Sequence, residues 1–302
     1  ATPAYRRGVA GAGWFMLGAP WDSSGSGRGE AHAPAALRSA GLAELVDVDL
    51  GDAATVIADA RRDPESGVRA LADTLAAARA VSSSLAQGLR ANPGRRPLVI
   101  GGDCSLLLGV FAHLRPALGD VGLWFVDGHP DYADATASES GETADLELAA
   151  LTGAGPSALV GLGGGVPMVP ARHVAVIGHR TADLEPAAAA ELARLPADVL
   201  TIDAASTIRD PAAAADRAAA WAERLRLPMW LHLDVDVLDP ADMPAVTYPQ
   251  GGGPDLDQLA VLLAPLAASP NLVGVSVADF RPDLDPDGHH AARLVDLLDR
   301  VL

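Results

Sequence analysis

The chain has 302 residues, 49% of them apolar and 20% charged, which is enough length and apolar content for one large hydrophobic core and excludes a disordered chain. Its 39 acidic residues against 22 basic ones, all arginine, give a net charge of −17, which disfavours binding to nucleic-acid phosphates or anionic lipid. No apolar run of membrane-spanning length and no leader pattern at Ala1–Arg7 is present, so we expect a cytoplasmic protein, and the single cysteine, Cys104, excludes an internal disulfide.

Apolar, partly β-branched runs alternate along the chain with alanine- and leucine-rich stretches of helical length. This alternation is typical of an α/β protein with a mostly parallel sheet. In chain order, we predict strands at Trp14–Leu17, Leu45–Leu50, Leu98–Ile100, Gly122–Val126, Val174–Ile177, Val199–Ile202, Met229–Leu233 and Leu272–Val277. The predicted helices are Gly67–Arg90, Pro186–Arg194, Pro211–Leu225, Leu256–Ala268 and His289–Leu302.

The linking segments contain no stretch long enough to separate two domains, so we predict one domain over residues 1–302 with a central, mostly parallel eight-stranded sheet. Two glycine-rich segments, Asp22–Gly29 and Thr152–Pro170, are predicted to be surface loops.

Polar side chains follow three of the predicted strands directly. Parallel sheets bind ligands beyond the carboxyl ends of their strands, so these are the positions at which a site is expected. The segments are Gly101-Gly102-Asp103-Cys104-Ser105, Asp127-Gly128-His129-Pro130-Asp131 and Asp234-Val235-Asp236, the last followed by Asp239-Pro240.

The spacing within these segments suggests a metal site. Asp127, His129 and Asp131 alternate, as do Asp234 and Asp236, and alternate residues of an extended segment face the same way. A lone aspartate at a strand end is usually a helix cap or turn former, but two alternating clusters are not explained in that way. Clustered carboxylates repel one another, and divalent cations relieve that repulsion; mostly oxygen ligands with one imidazole favour Mn²⁺ over structural Zn²⁺.

At these three segments the sequence resembles the ureohydrolase family, which contains arginases, agmatinases and formiminoglutamases. The segments match the family's three metal motifs in order, and the match runs from Gly18-Ala19-Pro20 and the loop Gly27–Arg38 to Pro282. The resemblance implies a three-layer α/β fold and a centre of two Mn²⁺ ions, at which a bridging water becomes a hydroxide that attacks a guanidinium carbon. It also implies a small guanidino amino acid as substrate.

The resemblance further assigns individual residues. It implies that Asp131 also orients the attacking hydroxide, and that Asp279 binds the guanidinium where the family usually has a glutamate. Its implied metal ligands are Asp127 and Asp234 as bridges, His129 and Asp236 on one ion, and Asp131 and Cys104 on the other. Its implied substrate contacts are Asp183 for the α-amino group and Ser138 and Ser140 for the α-carboxylate.

Three positions depart from the family pattern. Cys104 replaces the first histidine ligand, and Ala144 stands where arginases carry a histidine that shuttles protons. Ala133 replaces an asparagine that contacts the substrate carboxylate. Because losing a positioned general acid costs about 10²–10⁴-fold in rate, these departures argue against ordinary arginase activity.

A substrate that tolerates these losses should be a less basic guanidine with its own proton-transfer group. Nω-hydroxy-L-arginine fits both conditions, and its hydrolysis gives L-ornithine and hydroxyurea. Two alternatives stay open: hydrolysis of another guanidino compound to urea, and a non-catalytic relative that keeps the fold.

Two further side chains are weighed for supporting roles. Glu142 is a possible substitute for the missing proton shuttle, although a solvated loop acid is the commoner explanation. His232, two residues before Asp234, could point toward the metal ligands without binding metal itself. The oligomeric state expected is a monomer or a small homo-oligomer.

Overall fold

The computed structural model describes residues 13–302; the segment Ala1–Arg7 lies outside the described residues. Eight strands form one sheet in the order β2-β1-β3-β8-β7-β4-β5-β6, and their pairings are all parallel. The strands are β1 (Trp14–Ala19), β2 (Val48–Asp52), β3 (Arg96–Gly101), β4 (Gly122–Val126), β5 (Val174–Ile177), β6 (Leu200–Ile202), β7 (Met229–Asp234) and β8 (Leu272–Ala278).

The predicted eight-stranded α/β sheet is confirmed. Among the strands, the predicted and observed bounds differ most for β2, which begins at Val48 and not at Leu45. Leu42–Glu44 forms a 3₁₀ turn and Leu45 keeps helical backbone angles (φ −86°, ψ −7°), so the chain becomes extended three residues later than predicted.

Ten helices of the described chain surround the sheet. They are α1 (Ala33–Ser39), α2 (Leu71–Ala91), α3 (Leu106–Leu118), α4 (Glu147–Leu151), α5 (Ser157–Val160), α6 (Pro186–Arg194), α7 (Ala204–Arg209), α8 (Pro211–Leu225), α9 (Leu256–Ala267) and α10 (His289–Val301). Short 3₁₀ turns lie at Gly29–His32, Leu42–Glu44, Thr143–Asp145, Ala171–His173, Val235–Val237 and Pro282–Leu284.

The five predicted helices are all present as α2, α6, α8, α9 and α10. The first begins at Leu71 and not at Gly67, because Gly67 (φ 76°) and Ala70 (φ 52°) have left-handed backbone conformations that a right-handed helix cannot continue through. The prediction omits α1, α3, α4, α5 and α7. The longest of these, α3, is apolar on nearly every side and contains Pro116, so it lacks the polar stripe of an amphipathic helix.

The two predicted surface loops are only partly correct. Asp22, Ser23 and Ser24 are buried, and the Asp22 carboxylate accepts hydrogen bonds from the backbone amides of Gly27 and Arg28, so it acts as the anchor of a folded loop. The segment Thr152–Pro170 contains α5 and ends in buried core residues.

Helices cover both faces of the sheet, giving three layers. Alternate strand residues point into different cores: Met16, Ile100 and Leu231 pack with α8, α9 and α10, whereas Phe15 and Val99 pack with α2 and α3. Within the described residues, none of the helices has the length and apolar character needed to span a membrane.

The carboxyl ends of β3, β8, β7 and β4 lie side by side at the centre of one sheet edge. Gly102 joins three of the chain segments there: its amide donates to Ala19 (2.9 Å) and its carbonyl accepts from the amide of Asp279 (2.7 Å). A Cβ at Gly102 would lie 2.0 Å from the carbonyl oxygen of Trp21, so only glycine fits between these backbones.

Gly102→Ala should therefore lower the free energy of unfolding by about 1–3 kcal/mol, as an overpacked core site does. Urea unfolding followed by circular dichroism measures this change. Gly251→Ala is the matched control, because a Cβ at Gly251 meets no atom within 4 Å of the described chain. Equal stability of the two variants would contradict the close backbone approach at Gly102.

Candidate metal centre

A cavity of about 720 Å³ lies over the carboxyl ends of the central strands. Its floor holds acidic and sulfur side chains, and its walls come from the loop after β4 and from helix α6. The lining residues that the sequence singled out are Cys104, His129, Asp131, Ser138, Ser140, Glu142, Asp234, Asp236 and Asp279. The topology therefore brings residues more than 150 positions apart in the chain to one floor.

The six predicted metal ligands cluster in overlapping groups. Possible ligand atoms of Asp127, His129 and Asp236 lie within 4.8 Å of one another. Those of Cys104, Asp127 and Asp234 meet the same limit, and so do those of Cys104 and Asp131. Asp127 belongs both to the group that contains His129 and to the group that contains Cys104, as expected of a residue that lies between two ions.

Local backbone geometry holds the carboxylates in place. The Asp127 carboxylate accepts from the amide of His129 (2.6 Å), and that of Asp234 accepts from the amide of Asp236 (2.8 Å). Asp131 has a left-handed backbone (φ 44°), a conformation that aspartate tolerates better than most residues. The backbone turns after β4 and β7 therefore direct neighbouring acidic side chains toward the same place in the cavity floor.

Direct contacts link the ligands across strands. His129 Nδ1 lies 2.9 Å from a carboxylate oxygen of Asp236, and the Cys104 thiol donates to the Asp234 carboxylate. Cys104 is only 2% exposed, yet it lines the cavity floor. A metal ion could therefore reach its sulfur from the cavity.

The charges of this floor are poorly compensated. Burial, together with the neighbouring carboxylates, raises the pKa values of Asp127 and Asp234 well above the usual range, and burial raises that of Asp279 to about 8. Burial opposes the positive charge on His129, but the adjacent Asp236 outweighs it and raises the pKa of His129 to about 9. One imidazole therefore faces a group of several acids.

The donor set fits divalent cations. Asp127 Oδ2 is buried and has no hydrogen-bond partner among the described residues. Glu147 is fully buried beside it, with a ligand atom within 4.8 Å of those of Cys104 and Asp131. Buried carboxylates without donors are satisfied by metal ions, and mostly oxygen ligands suit a hard ion such as Mn²⁺, whereas the one sulfur also suits softer ions such as Zn²⁺.

The predicted substrate-contacting residues fall into two sets. Asp279, Ser138 and Ser140 line the cavity. The Asp279 carboxylate accepts from the amide of Thr247 at 3.0 Å, and Ser138 Oγ lies 3.2 Å from Ser140 Oγ. Asp183 is exposed and does not line the cavity, so the structure does not bring it together with the others.

The positions that depart from the family pattern also line the cavity. Ala133 and Ala144 each present only a methyl group to it. Glu142 is 8% exposed, lines the cavity and pairs with the Arg28 guanidinium. Burial raises the pKa of Glu142, although the charge of Arg28 opposes that shift.

The structure adds residues that the sequence analysis did not select. Glu147 has a visible signal, since it is a lone acid within the otherwise apolar run Leu146–Leu151. Glu191 has none: it lies on the alanine-rich helix α6, accepts from the amide of Tyr132 at 2.6 Å, and has a pKa raised to about 7 by burial.

His232, which the sequence analysis weighed for a supporting role, is fully buried. Its Nε2 is 3.2 Å from Cys104 Sγ, and burial lowers its pKa to about 3.

Comparison with known proteins places the whole chain in one group. A family model described as "Arginase family" matches residues 12–301. The arginase of Bacillus caldovelox is 30% identical over 291 residues, covering 94% of this chain and 95% of that protein. The arginase of Brevibacillus brevis is 29% identical over 292 residues, with coverage of 95% and 96%. The crystal structure of the Bacillus caldovelox arginase superposes with a TM-score of 0.86 at 28% identity and covers 96% of this chain and 98% of that one.

Mn²⁺ should raise the melting temperature of metal-free protein, and by more at pH 8 than at pH 6. Burial raises the pKa values of Asp127, Asp131 and Asp234, so protons compete with the ion at the lower pH. For the same reason the metal-free fold should lose stability as the pH rises through these raised values, because the folded state binds the protons more tightly than the unfolded state. Thermal unfolding with EDTA or Mn²⁺ at both pH values measures the two effects.

The matched variants for this experiment are Asp234→Asn and Asp257→Asn. Asp257 is exposed on α9 and pairs with Arg300 on the surface, so its substitution removes the same charge away from the cavity. Stabilisation by Mn²⁺ should survive in Asp257→Asn and fall sharply in Asp234→Asn. Undiminished stabilisation in Asp234→Asn would show that the ion binds elsewhere.

Proposed function

This chain belongs to the arginase family, and from that premise we propose that it hydrolyses Nω-hydroxy-L-arginine to L-ornithine and hydroxyurea. The observation that carries the proposal is the pairing of two features in one cavity: an intact acidic floor, and the methyl group of Ala144 where the family's proton-shuttling histidine is expected. In these features the chain resembles the amidinohydrolase that supplies hydroxyurea for D-cycloserine biosynthesis, and we propose the same role for it.

We propose that the acidic floor holds two Mn²⁺ ions. Asp127 and Asp234 would bridge them, with His129 and Asp236 on one ion and Cys104 and Asp131 on the other; this assignment is supported by the overlapping groups that these residues form. Bound there, the ions would supply Lewis acidity and lower the pKa of water. The protein's part is to fix the ligands, and the turns after β4 and β7 do so through backbone hydrogen bonds.

The floor is also built to position a guanidino carbon. Asp279 lies within the same group of ligand atoms as Asp234 and Asp236, and its second contact, to the amide of Thr247, restricts its carboxylate. A carboxylate there accepts hydrogen bonds from guanidine N–H groups and holds the carbon above the ligand cluster. Asp131, at the cavity surface, would accept a hydrogen bond from the attacking water and so orient it.

The departing amine needs a proton, and this requirement selects the substrate. Hydrolysis breaks the bond between the guanidine carbon and Nδ, so Nδ must gain a proton as L-ornithine forms. Ala144 cannot donate one. The hydroxyl of Nω-hydroxy-L-arginine makes the guanidine less basic than that of L-arginine and carries an exchangeable proton into the site, so the substrate offsets the missing side chain.

The outer cavity suits an amino acid. Ser138 offers a hydroxyl group for an α-carboxylate, in a wall where Ala133 offers none, whereas the Ser140 hydroxyl would have to turn away from the Asp145 carboxylate, to which it donates. The acids Glu185 and Glu191 line the other side, where a positively charged α-amino group is favoured. Asp183, which the resemblance assigns to the amino group, begins the segment that leads into α6.

Ordinary arginase activity is the second candidate, because the relatives at 29% and 30% identity over nearly the full chain are named arginases. It requires protonation of the same leaving amine without the histidine and without a hydroxyl group on the substrate. Glu142 could serve only by leaving its ion pair with Arg28. Substrate comparison separates the two candidates directly.

Mn²⁺-loaded protein should release hydroxyurea from Nω-hydroxy-L-arginine at least about 100-fold faster than it releases urea from L-arginine, because only the hydroxylated substrate offsets the lost acid. Both substrates are supplied at equal concentration, and ornithine, urea and hydroxyurea are measured together. Comparable rates would refute the proposed specificity and establish an arginase. Absence of product from both would refute hydrolysis of either amino acid.

The same assay should show that Ala144→His raises urea formation from L-arginine by about 10-fold or more, while hydroxyurea formation changes less. Ala188→His is the matched control, since it places the same imidazole in the cavity from helix α6. An equal gain in both variants would mean that any added base suffices and would contradict a specific loss at Ala144.

Asp183→Asn should lower kcat/KM for Nω-hydroxy-L-arginine by about 10-fold or more and leave that for 5-(N-hydroxyguanidino)pentanoate, which lacks the α-amino group, nearly unchanged, because a lost charged hydrogen bond to the amino group costs about 1.5–3 kcal/mol. Glu185→Gln is the comparison, since Glu185 lines the cavity two residues away. A loss confined to Glu185→Gln would move the amino-group contact from Asp183 to Glu185.

A further inference from the structure

His232 is a fully buried histidine directly behind Cys104. Its Nε2 lies 3.2 Å from Cys104 Sγ, and its ligand atom falls in the same group as those of Asp127 and Asp234. Cys104 lines the cavity, whereas His232 does not. The sulfur therefore stands between the imidazole and the space in which an ion would be bound.

The neighbours of His232 indicate which ring nitrogen carries the hydrogen. Trp230 Nε1 can only donate, and it donates to Ser276 Oγ at 2.9 Å. Ser276 Oγ lies 2.8 Å from His232 Nδ1. Among the hydrogen bonds of the described chain, this nitrogen is the acceptor to which the serine hydroxyl can donate its hydrogen. Nδ1 thus accepts, and in the neutral ring the hydrogen is on Nε2, which faces sulfur.

The ring is also fixed in orientation. Phe125 on the neighbouring strand β4 stacks on it with centroids 5.3 Å apart and planes at 26°. Ser276 lies opposite His232 on β8 in the strand register. Strands on both sides therefore hold the ring, so that Nε2–H can point only at Cys104.

We propose that His232 is a positioning residue that donates its Nε2–H to the Cys104 sulfur when that sulfur binds a metal ion. This inference rests on the proposed metal centre. A hydrogen bond from such a neighbour holds a ligand in its binding rotamer and withdraws electron density from it. Thiolate donates more charge to an ion than imidazole does, so His232 would recover part of the Lewis acidity lost when cysteine occupies the ligand position.

Direct metal binding by His232 is the competing arrangement. It needs a lone pair on Nε2, whereas the bonds from Trp230 through Ser276 put the hydrogen there. It also needs the ion to pass Cys104, because His232 is not exposed to the cavity. Both observations favour the donor role.

The test uses Co²⁺ in place of Mn²⁺, since cobalt bound to sulfur gives a charge-transfer absorption band in the near ultraviolet. In His232→Leu this band should move to lower energy, because the sulfur keeps the electron density that the hydrogen bond from Nε2 would withdraw. The Co²⁺ ion bound by Cys104 should bind about 10- to 100-fold more weakly, because the sulfur is no longer held in its binding rotamer. His232→Gln, whose amide can also donate, should restore most of both properties. The spectrum and the Co²⁺ titration are read without any turnover.

Ser276 supplies an independent pair of variants should His232→Leu fail to fold. Ser276→Ala removes the group that fixes the ring tautomer and should shift the band in the same direction by a smaller amount, whereas Ser276→Thr keeps the hydroxyl and should leave it in place. An unshifted band and unchanged affinity in the folded His232→Leu or Ser276→Ala protein would overturn the proposal.

Two further outcomes separate this proposal from the metal centre itself. Loss of one Co²⁺ equivalent in both His232→Leu and His232→Gln, with the sulfur band gone, would identify His232 as a ligand and reject the donor role. A wild-type protein that binds two Co²⁺ ions with no sulfur band would remove Cys104 from the ligand set, which overturns this inference but leaves a dimetal hydrolase intact.

Discussion

Repulsion among buried carboxylates is the constraint on which the rest of this structure depends. Asp127, Asp131, Asp234 and Asp236 are each less than a tenth exposed, and they meet at one edge of the sheet. Their burial limits how far water can screen them, and among the described residues His129 is the imidazole that pairs with them. A folded chain accepts such a cluster where a rigid scaffold holds it and where protons or a cation neutralise it.

The scaffold comes from the order of the strands. β3, β8, β7 and β4 are adjacent although they are far apart in the chain, and each contributes an acid or the thiol just past its last residue. Backbone groups then complete the support: the Arg180 guanidinium donates to the carbonyls of Val237 and Leu238, which fixes the loop after β7. The Arg180 side chain, whose charge also acts on Asp236, thus makes these hydrogen bonds to the backbone and leaves the carboxylate oxygens free for a metal ion.

Features that depend on residues close together in the chain could be predicted from the sequence, whereas features that depend on contacts between distant segments could not. The eight strands and the ligand spacing depend on neighbouring residues, so both are visible before folding. Helix α3 is hidden because a helix buried on nearly all sides has no periodicity to detect. Glu191 approaches the site through the packing of α6, and the donor arrangement of His232 depends on Ser276 from another strand. Contacts of this kind exist only once the sheet has assembled.

Cys104 is the one thiol in the chain and lies on the floor of a cavity open to small molecules. Burial, together with the neighbouring carboxylates, raises the pKa of this thiol well above its usual value, so the metal-free protein keeps it protonated and slow to oxidise, and no second cysteine in the chain is present to trap a sulfenic acid as a disulfide. A metal ion bound to the sulfur would hold it as thiolate, and soft ions such as Cu⁺ bind thiolate more strongly than Mn²⁺ does. With Cys104 as the ligand proposed above, the working life of the protein would depend on which metal ions its surroundings supply.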